Sequence, residues 1–116
     1  KIYFDWSVNG SDNYVSTDNG IYPSNDTWVH VVATAAAGGR MEVYVNGDLA
    51  TYQARQNADT MMNPLVNNSS ALQLGGATWI PRYFEGRIAS VQIYNMELSH
   101  SKIRQIYESQ KTRFGL

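Results

Sequence analysis

The Asn46-Gly47 pair, which lies between two runs of alternating apolar and polar residues, is the feature that most constrains how this chain can fold. Both residues tolerate the positive φ angles of a type I′ turn, whose twist matches two antiparallel strands. The predicted cross-strand pairs are Val45 with Asp48, Val43 with Ala50, and Met41 with Tyr52. Because Met41, Val43 and Val45 then share one apolar face, the hairpin predicts an antiparallel sheet that covers a core.

Other short apolar runs, separated by turn residues, predict further strands. Residues 2–8 alternate strictly between apolar and polar, which is typical of a strand that buries one face. Residues 28–34 are rich in β-branched residues and carry apolar side chains on both faces, as a central strand does. Two more strands are predicted at residues 14–17 and 71–74, and a polar, Asn-rich loop at residues 53–70.

The stretch from residue 87 to residue 94 predicts one more strand, but its apolar spacing is irregular. Ile88 is out of phase with Val91 and Ile93. One extra residue near residues 89–90 would bring all three onto one face, so we expect a β-bulge there. The predicted packing residues of this segment are Ile88, Val91, Ile93 and Leu98.

A single helix is predicted, from Ser99 to about residue 109. Ser99 suits the N-cap position, and Ile103, Ile106 and Tyr107 form an apolar stripe at helical spacing. The expected organisation is one domain at residues 1–110 and a basic tail at residues 111–116, which contains Lys111, Arg113 and Phe114. About seven short strands and one C-terminal helix indicate an all-β fold, an antiparallel two-sheet sandwich or jelly roll.

Composition excludes several classes of function. The 116 residues contain no cysteine, which rules out disulfides and thiolate metal sites, and the net charge is −1. This balance gives no general attraction for nucleic acid or for an anionic membrane. No apolar run approaches the roughly 18 residues of a membrane span, so neither nucleic-acid binding nor membrane insertion is expected.

Two stretches resemble laminin-G-like domains of the concanavalin A-like lectin and glucanase superfamily. They are "WVHVVATAAAGGRMEVYVNG" and, after "LQLGG", the ending "FEGRIASVQIYNMELSHSKIRQIY". The resemblance covers about residues 28–107 and implies a two-sheet antiparallel jelly roll. Because members of this family are commonly longer, it also implies that part of a sheet is supplied upstream or by a neighbouring chain.

The ending "YESQKTRFGL" resembles the C-termini of structural proteins of tailed phages. This second resemblance implies a virion protein, and the expected location is a virion or an extracellular or cell surface. Other chains of an assembly are then expected partners.

Catalytic patterns are missing from the sequence. Glycoside hydrolysis needs two carboxyl groups roughly 5–9.5 Å apart, and no E-x-D-x-x-E pattern presents such a pair on a strand. His30 and His100 have no nucleophile placed beside them by a motif, and His30 suits a role in packing. We therefore expect a protein that is not an enzyme.

Calcium binding is the next possibility, since many relatives in the resembled superfamily bind it. Ca²⁺ takes six to eight oxygen ligands, and the loop after "LGG" offers no acid before Glu85. The oxygen-rich residues Asp12, Asn13, Asp18 and Asn19 could form a site at one end of the sandwich, or could simply be polar turns. We expect no cofactor and no metal.

Carbohydrate binding is the function that the loops suggest best. Lectin sites stack a sugar on an aromatic ring and bind its hydroxyl groups through polar residues. The candidate ligand-binding residues are Trp79, Arg82, Tyr83 and Tyr22, whereas Trp6 and Trp28 lie on apolar strand faces and are expected in the core. Trp79 and Tyr83 could equally contact another protein subunit.

The function expected from these observations is a non-enzymatic recognition module of a larger surface or virion protein, which binds carbohydrate or a neighbouring protein through loops at the edge of the sandwich. The alternative is a purely structural or assembly domain of a phage particle, whose basic tail binds a partner. A glucanase-type hydrolase is the least favoured possibility.

Overall fold

The computed structural model describes residues 2–8, 11–19, 26–36, 38–59, 72–77 and 82–116. These parts of the chain contain eight strands and one helix. The strands are β1 (Tyr3–Val8), β2 (Ser11–Thr17), β3 (Val31–Thr34), β4 (Glu42–Val45), β5 (Asp48–Leu49), β6 (Tyr52–Gln56), β7 (Gly76–Ala77) and β8 (Arg82–Tyr83), and the helix is α1 (His100–Phe114). The fold is thus mostly β, with antiparallel sheets and a C-terminal helix, as predicted.

The first sheet has the strand order β1-β2-β6. The strands predicted at residues 2–8 and 14–17 are confirmed; they form a hairpin with Val8 opposite Ser11 and Tyr3 opposite Ser16, and the second strand begins earlier than expected, at Ser11. The third strand, β6, falls at the start of the stretch that was predicted to be a loop, so the loop prediction is wrong for residues 53–56. The remainder of that predicted loop, from residue 60 to residue 70, lies outside the described residues.

The second sheet has the order β3-β4-β5 and contains the predicted Asn46-Gly47 hairpin. Asn46 has φ of 52° and Gly47 has φ of 85°, as a type I′ turn requires. Val45 lies opposite Asp48, and the Ala50 N–H donates to the Val43 carbonyl over 2.9 Å, as expected. The predicted pairing of Met41 with Tyr52 is wrong, because the chain leaves this sheet after Ala50 and joins the first one through β6.

The strand predicted at residues 28–34 is shorter than expected and is not central. It begins at Val31, and within the described parts of the chain β3 pairs with β4 alone. Residues 71–74 were predicted as a strand, but residues 72–74 are irregular and the next strand pair is β7 with β8.

The bulged strand predicted at residues 87–94 is wrong, because this segment is irregular and its apolar side chains are exposed. Ile93, for example, has 70 % of its surface exposed. A strand pattern produces a strand only when a neighbouring edge accepts its hydrogen bonds. The edge of β3 is separated from residues 90–98 by a cleft of about 1090 Å³.

The core lies between the two sheets. Val15 of β2 meets Val43 of β4 and Met41, which directly precedes β4, and all three are fully buried. Ala50 and Ala58 complete this cluster, and Phe4 and Tyr52 pack against it. Burying these side chains supplies the hydrophobic stabilisation that joins the sheets.

The helix begins where it was predicted and ends later. The Ser99 hydroxyl accepts a hydrogen bond from the Lys102 N–H at 3.3 Å, which confirms the N-cap. The helix ends at Gly115, whose φ of 69° forms a left-handed cap, so residues 111–114 of the predicted tail are helical. Ile103 is fully buried, and the apolar stripe of α1 is confirmed.

The first turns of α1 contact the hairpin of β4 and β5. His100 Nε2 lies 3.0 Å from the Gly47 carbonyl oxygen, and Arg104 forms an ion pair with Asp48. The rings of His100 and Tyr44 lie 5.2 Å apart. The helix is therefore held on the second sheet by a polar and aromatic contact at its N-terminal half.

Candidate functional site

The four residues predicted to bind a ligand are only partly described by the structure. Tyr83 lies on β8 opposite Gly76, and its side chain is 76 % exposed. Arg82 precedes it on the same strand, opposite Ala77. Trp79 and Tyr22 lie outside the described residues. The structure thus places Arg82 and Tyr83 together on a short β-ribbon.

A second aromatic group, not predicted as a site, forms beside the C-terminal end of α1. The ring of Trp28 lies 5.3 Å from that of Phe114, tilted by 53°. The guanidinium carbon of Arg87 lies 5.6 Å from the centre of the Trp28 ring. We name Trp28, Arg87 and Phe114 the Trp28 cluster; its members come from the segment before β3, the segment after β8 and the last turn of α1.

The helix brings Phe114 to this position because of its periodicity. Residues 103, 107 and 114 are spaced at i, i+4 and i+11, which places them on one face of an α-helix. Ile103 is buried there, and the Tyr107 ring lies 5.8 Å from that of His30, just before β3. Phe114 therefore reaches the same side of the sheet, next to Trp28.

A cavity of about 450 Å³ opens beside the Trp28 cluster. This volume lies within the range of roughly 300–1,000 Å³ that is usual for small-molecule sites. Its walls combine aromatic rings, two cations and short polar side chains. They include Trp28, Phe84, Tyr107 and Phe114, the cations Arg87 and Lys111, and the polar residues Thr27, Ser90 and Gln110. Phe84 directly follows Tyr83 in the chain, but Tyr83 is not among the described residues that line this cavity.

The charge of the cavity is carried chiefly by Arg87. In the part of the chain that the structure describes, Arg87 forms no ion pair, whereas Arg40, Arg55 and Arg104 each bind carboxylates. Lys111 Nζ lies 2.5 Å from Glu108 Oε2 and is partly neutralised. No aspartate or glutamate is found among the described residues that line the cavity.

His30 also lines the cavity, and its backbone is hydrogen-bonded to the turn of the hairpin. Its backbone N–H donates to Asn46 Oδ1 over 3.0 Å, and its carbonyl accepts from the Asn46 N–H over 2.8 Å. Burial lowers the pKa of the imidazole, whose Nδ1 is buried without a hydrogen-bond partner. A proton on His30 is therefore disfavoured, as befits the packing role predicted for it.

The carboxylates Glu42 and Asp59 lie elsewhere, in an ionic network between β4 and the end of β6. Glu42, only 12 % exposed, bonds to Arg40 and Arg55, and Asp59 bonds to the same two arginines. The Tyr52 hydroxyl donates to Glu42 Oε2 over 2.6 Å. Burial and this hydrogen bond raise the pKa of Tyr52 to about 12. The network links the two sheets and does not border the cavity beside Trp28.

The suggested calcium site at one end of the sandwich is contradicted by the register of β2. Asp12 lies near the start of β2, and Asp18 directly follows its end. Six residues of extended chain separate the two positions by roughly 20 Å, too far for shared coordination of one ion. Across the described ranges, no three His, Asp or Glu side chains gather in the manner that a metal ion requires.

Within the described residues, no helix combines the length and the apolar character that crossing a membrane requires.

Sequence reasoning missed the Trp28 cluster for a specific reason. Trp28 was predicted to lie in the core, on the apolar face of a strand, but it precedes β3 and is half-buried. The helix was expected to end near residue 109, which left Phe114 in a tail. Had α1 been extended to the Gly115 cap, its spacing would have placed Phe114 on the face of Ile103 and indicated a sheet contact.

Comparison with protein families gives one result. A laminin-G-type family model, described as the concanavalin A-like lectin/glucanases superfamily, matches residues 1–104. Neither the comparison with curated proteins nor the comparison with solved structures yields a match. The match confirms the resemblance inferred from the two sequence stretches and extends it to the first strand.

Proposed function

We infer the function from two premises, the first of which is that the chain belongs to the concanavalin A-like lectin/glucanase superfamily. The second premise is the aromatic, cationic cavity beside Trp28. We propose a non-enzymatic module that binds carbohydrate in this cavity, as part of a larger surface or virion protein; the two premises support the carbohydrate binding. The complete sandwich is proposed to have jelly-roll topology.

The single observation that carries this proposal is the composition of the cavity wall. A sugar ring presents apolar C–H faces, which pack on aromatic rings, and hydroxyl groups at its edge, which need hydrogen-bonding partners. Phe84 supplies an open ring that is 60 % exposed, and Thr27, Ser90 and Gln110 supply polar groups.

The position of the carboxylates supports binding over hydrolysis. Hydrolysis of a glycoside requires two carboxyl groups on either side of the bond that is broken. No aspartate or glutamate lies in the described walls of the cavity, and Glu42 and Asp59 are engaged by arginines in the network between the sheets.

A glycan array followed by calorimetry tests the proposal. Phe84→Ala removes an exposed ring of the cavity, and we expect it to weaken binding of any glycan that the wild type retains. Leu72→Ala is the matched control, because Leu72 is 70 % exposed and does not line the cavity. Loss of binding in Tyr83→Ala but not in Phe84→Ala would move the site to the β7–β8 ribbon. Failure of the wild type to bind any glycan would contradict the proposal.

A structural or assembly role is the second candidate, and a different surface favours it. Ile93 and Met96 are strongly exposed and line the cleft that separates residues 90–98 from the β3 edge. An edge strand and exposed apolar side chains together form a surface that another chain can cover. The predicted docking tail is less suited to this role, since Lys111 pairs with Glu108 and Phe114 packs on Trp28.

Light scattering over a range of protein concentrations tests the assembly role. The wild type should self-associate or bind its parent particle, and Ile93→Ser should reduce that association. The control, Leu72→Ser, changes an equally exposed apolar residue outside the cleft. A protein that stays monomeric and binds no particle would remove this candidate.

A further inference from the structure

We propose that the cavity beside Trp28 selects anionic sugars, and that Arg87 binds their charged group. This inference rests on the proposed carbohydrate-binding function and narrows its ligand to one chemical class, sugars that carry a carboxylate or a sulfate.

The charge of Arg87 is the first feature that supports this proposal. Within the described residues its guanidinium has no carboxylate partner, although Arg40, Arg55 and Arg104 all do. Its described contact is with the Trp28 ring, at 5.6 Å. A cation–π contact helps to position a guanidinium but leaves its positive charge uncompensated. Arg87 is thus held at the cavity wall with its charge available to a ligand.

The residues around Arg87 are the second feature that supports it. The cavity contains a second cation, Lys111, and its described walls contain no acidic side chain. Lys111 is bound to Glu108, so it adds little attraction for a ligand, whereas Arg87 keeps its full charge. A neutral sugar cannot compensate this charge, but an anionic one can.

The planar shape of the guanidinium is the third feature that supports it. A guanidinium presents its N–H donors in a planar fork that matches the oxygens of carboxylates, sulfates and phosphates in pairs. The aromatic rings of Trp28 and Phe84 lie in the same wall, where they can pack on the sugar ring while Arg87 binds its anionic substituent. A hydrogen bond to a charged partner is expected to raise affinity by about 10- to 100-fold.

Variants at two arginines separate this role from a purely structural one. Arg87→Gln removes the charge, and Arg87→Lys keeps it without the planar fork. Arg113→Gln is the matched control: Arg113 also lies over an aromatic ring, at 5.4 Å from Phe114, and is not part of the cavity wall. A charge lost at Arg113 should leave ligand selection unchanged.

The experiment is isothermal calorimetry with three oligosaccharides: an oligouronate, the same oligomer with its carboxyl groups reduced, and the reduced oligomer after sulfation. We expect at least one anionic oligomer to bind the wild type about 10-fold or more tightly than the neutral one. Arg87→Gln should abolish this advantage, Arg87→Lys should retain part of it, and Arg113→Gln should retain all of it. The advantage should also shrink as salt is raised.

The results distinguish failure of the inference from failure of the proposed function. Equal binding of anionic and neutral oligomers, or an advantage that survives Arg87→Gln, would overturn the inference and leave carbohydrate binding in place. Binding of no oligosaccharide at all would overturn both. A preference between the carboxylated and the sulfated oligomer identifies the anion, and either preference supports the inference when it depends on Arg87.

Discussion

Substituting Gly47 by alanine tests how the helix is attached to the hairpin. Gly47 has φ of +85°, and a Cβ built there lies 2.9 Å from Tyr107 Cδ1 and 3.0 Å from Arg104 Cδ. The positive φ costs an L-residue roughly 1–2 kcal/mol. Forcing an extra methyl group into a packed contact costs roughly 1–3 kcal/mol more. We therefore expect Gly47→Ala to lower the free energy of unfolding by about 2–5 kcal/mol.

Gly38→Ala is the control for the backbone term alone. Gly38 has φ of +74°, and among the described residues other than its chain neighbours no atom lies within 4 Å of the position that a Cβ would occupy there. Its substitution should therefore cost about 1–2 kcal/mol, because the strain is similar but the clash is missing. Urea unfolding followed by tryptophan fluorescence measures both values. The difference between the two variants then reports the contact with α1.

A double-mutant cycle assigns that difference to Tyr107. In a Tyr107→Ala background the ring atom that meets the new Cβ is gone, so the cost of Gly47→Ala should fall towards that of Gly38→Ala, while Arg104 Cδ at 3.0 Å and the Cβ of residue 107 at 3.2 Å retain part of the clash. If Gly47→Ala is no more damaging than Gly38→Ala in the parent protein, α1 does not pack on the turn. That result would refute the description of how the helix is held.

Two further predictions concern buried polar groups. Tyr52→Phe removes the hydroxyl that accepts a hydrogen bond from the Val43 N–H at 2.8 Å. Leaving this buried donor unpaired should lower the free energy of unfolding by about 1–3 kcal/mol, as measured in urea. An unchanged unfolding midpoint would refute this prediction. Burial lowers the pKa of His30, so the unfolded chain binds a proton more readily than the folded one. Stability should therefore be highest above the unfolded pKa of about 6.5 and should fall as pH drops through that value towards the folded pKa. Unfolding measured from pH 8 to pH 5 checks this, and the slope should be smaller in His30→Gln.

Local signals in the sequence were reliable wherever neighbouring residues alone determine the structure. Asn46-Gly47 forms a turn because positive φ is intrinsically accessible to both residues. Ser99 caps the helix because its own side chain satisfies the N–H three residues later. Neither feature needs a distant partner, and both were predicted correctly.

The errors arose where a distant partner decides the outcome. The sequence of β6 looked like a polar loop, yet Arg55 is only 16 % exposed because it bonds to the Met41 and Ala58 carbonyl oxygens and to two carboxylates. The apolar pattern of residues 87–94 looked like a strand, yet it pairs with no edge within the described residues. The polarity of a segment therefore predicted the wrong structure in both cases, because the burial of a side chain depends on the contacts that the other sheet provides.

The candidate site could not be predicted from the sequence for the same reason. Trp28, Arg87 and Phe114 are widely separated in the chain and meet only because α1 lies across the hairpin. One half of the helix is fixed to Gly47 and Asp48, and its last turn supplies Phe114 to the cavity. The helix is accordingly an element of both the fold and the candidate site.

Arg87, by contrast, lies on an irregular segment and has no ion-pair partner in the described chain. Under the proposed function, ligand selection can therefore change through Arg87 with little cost to the core, whereas a change at Phe114 would alter the packing of the helix as well.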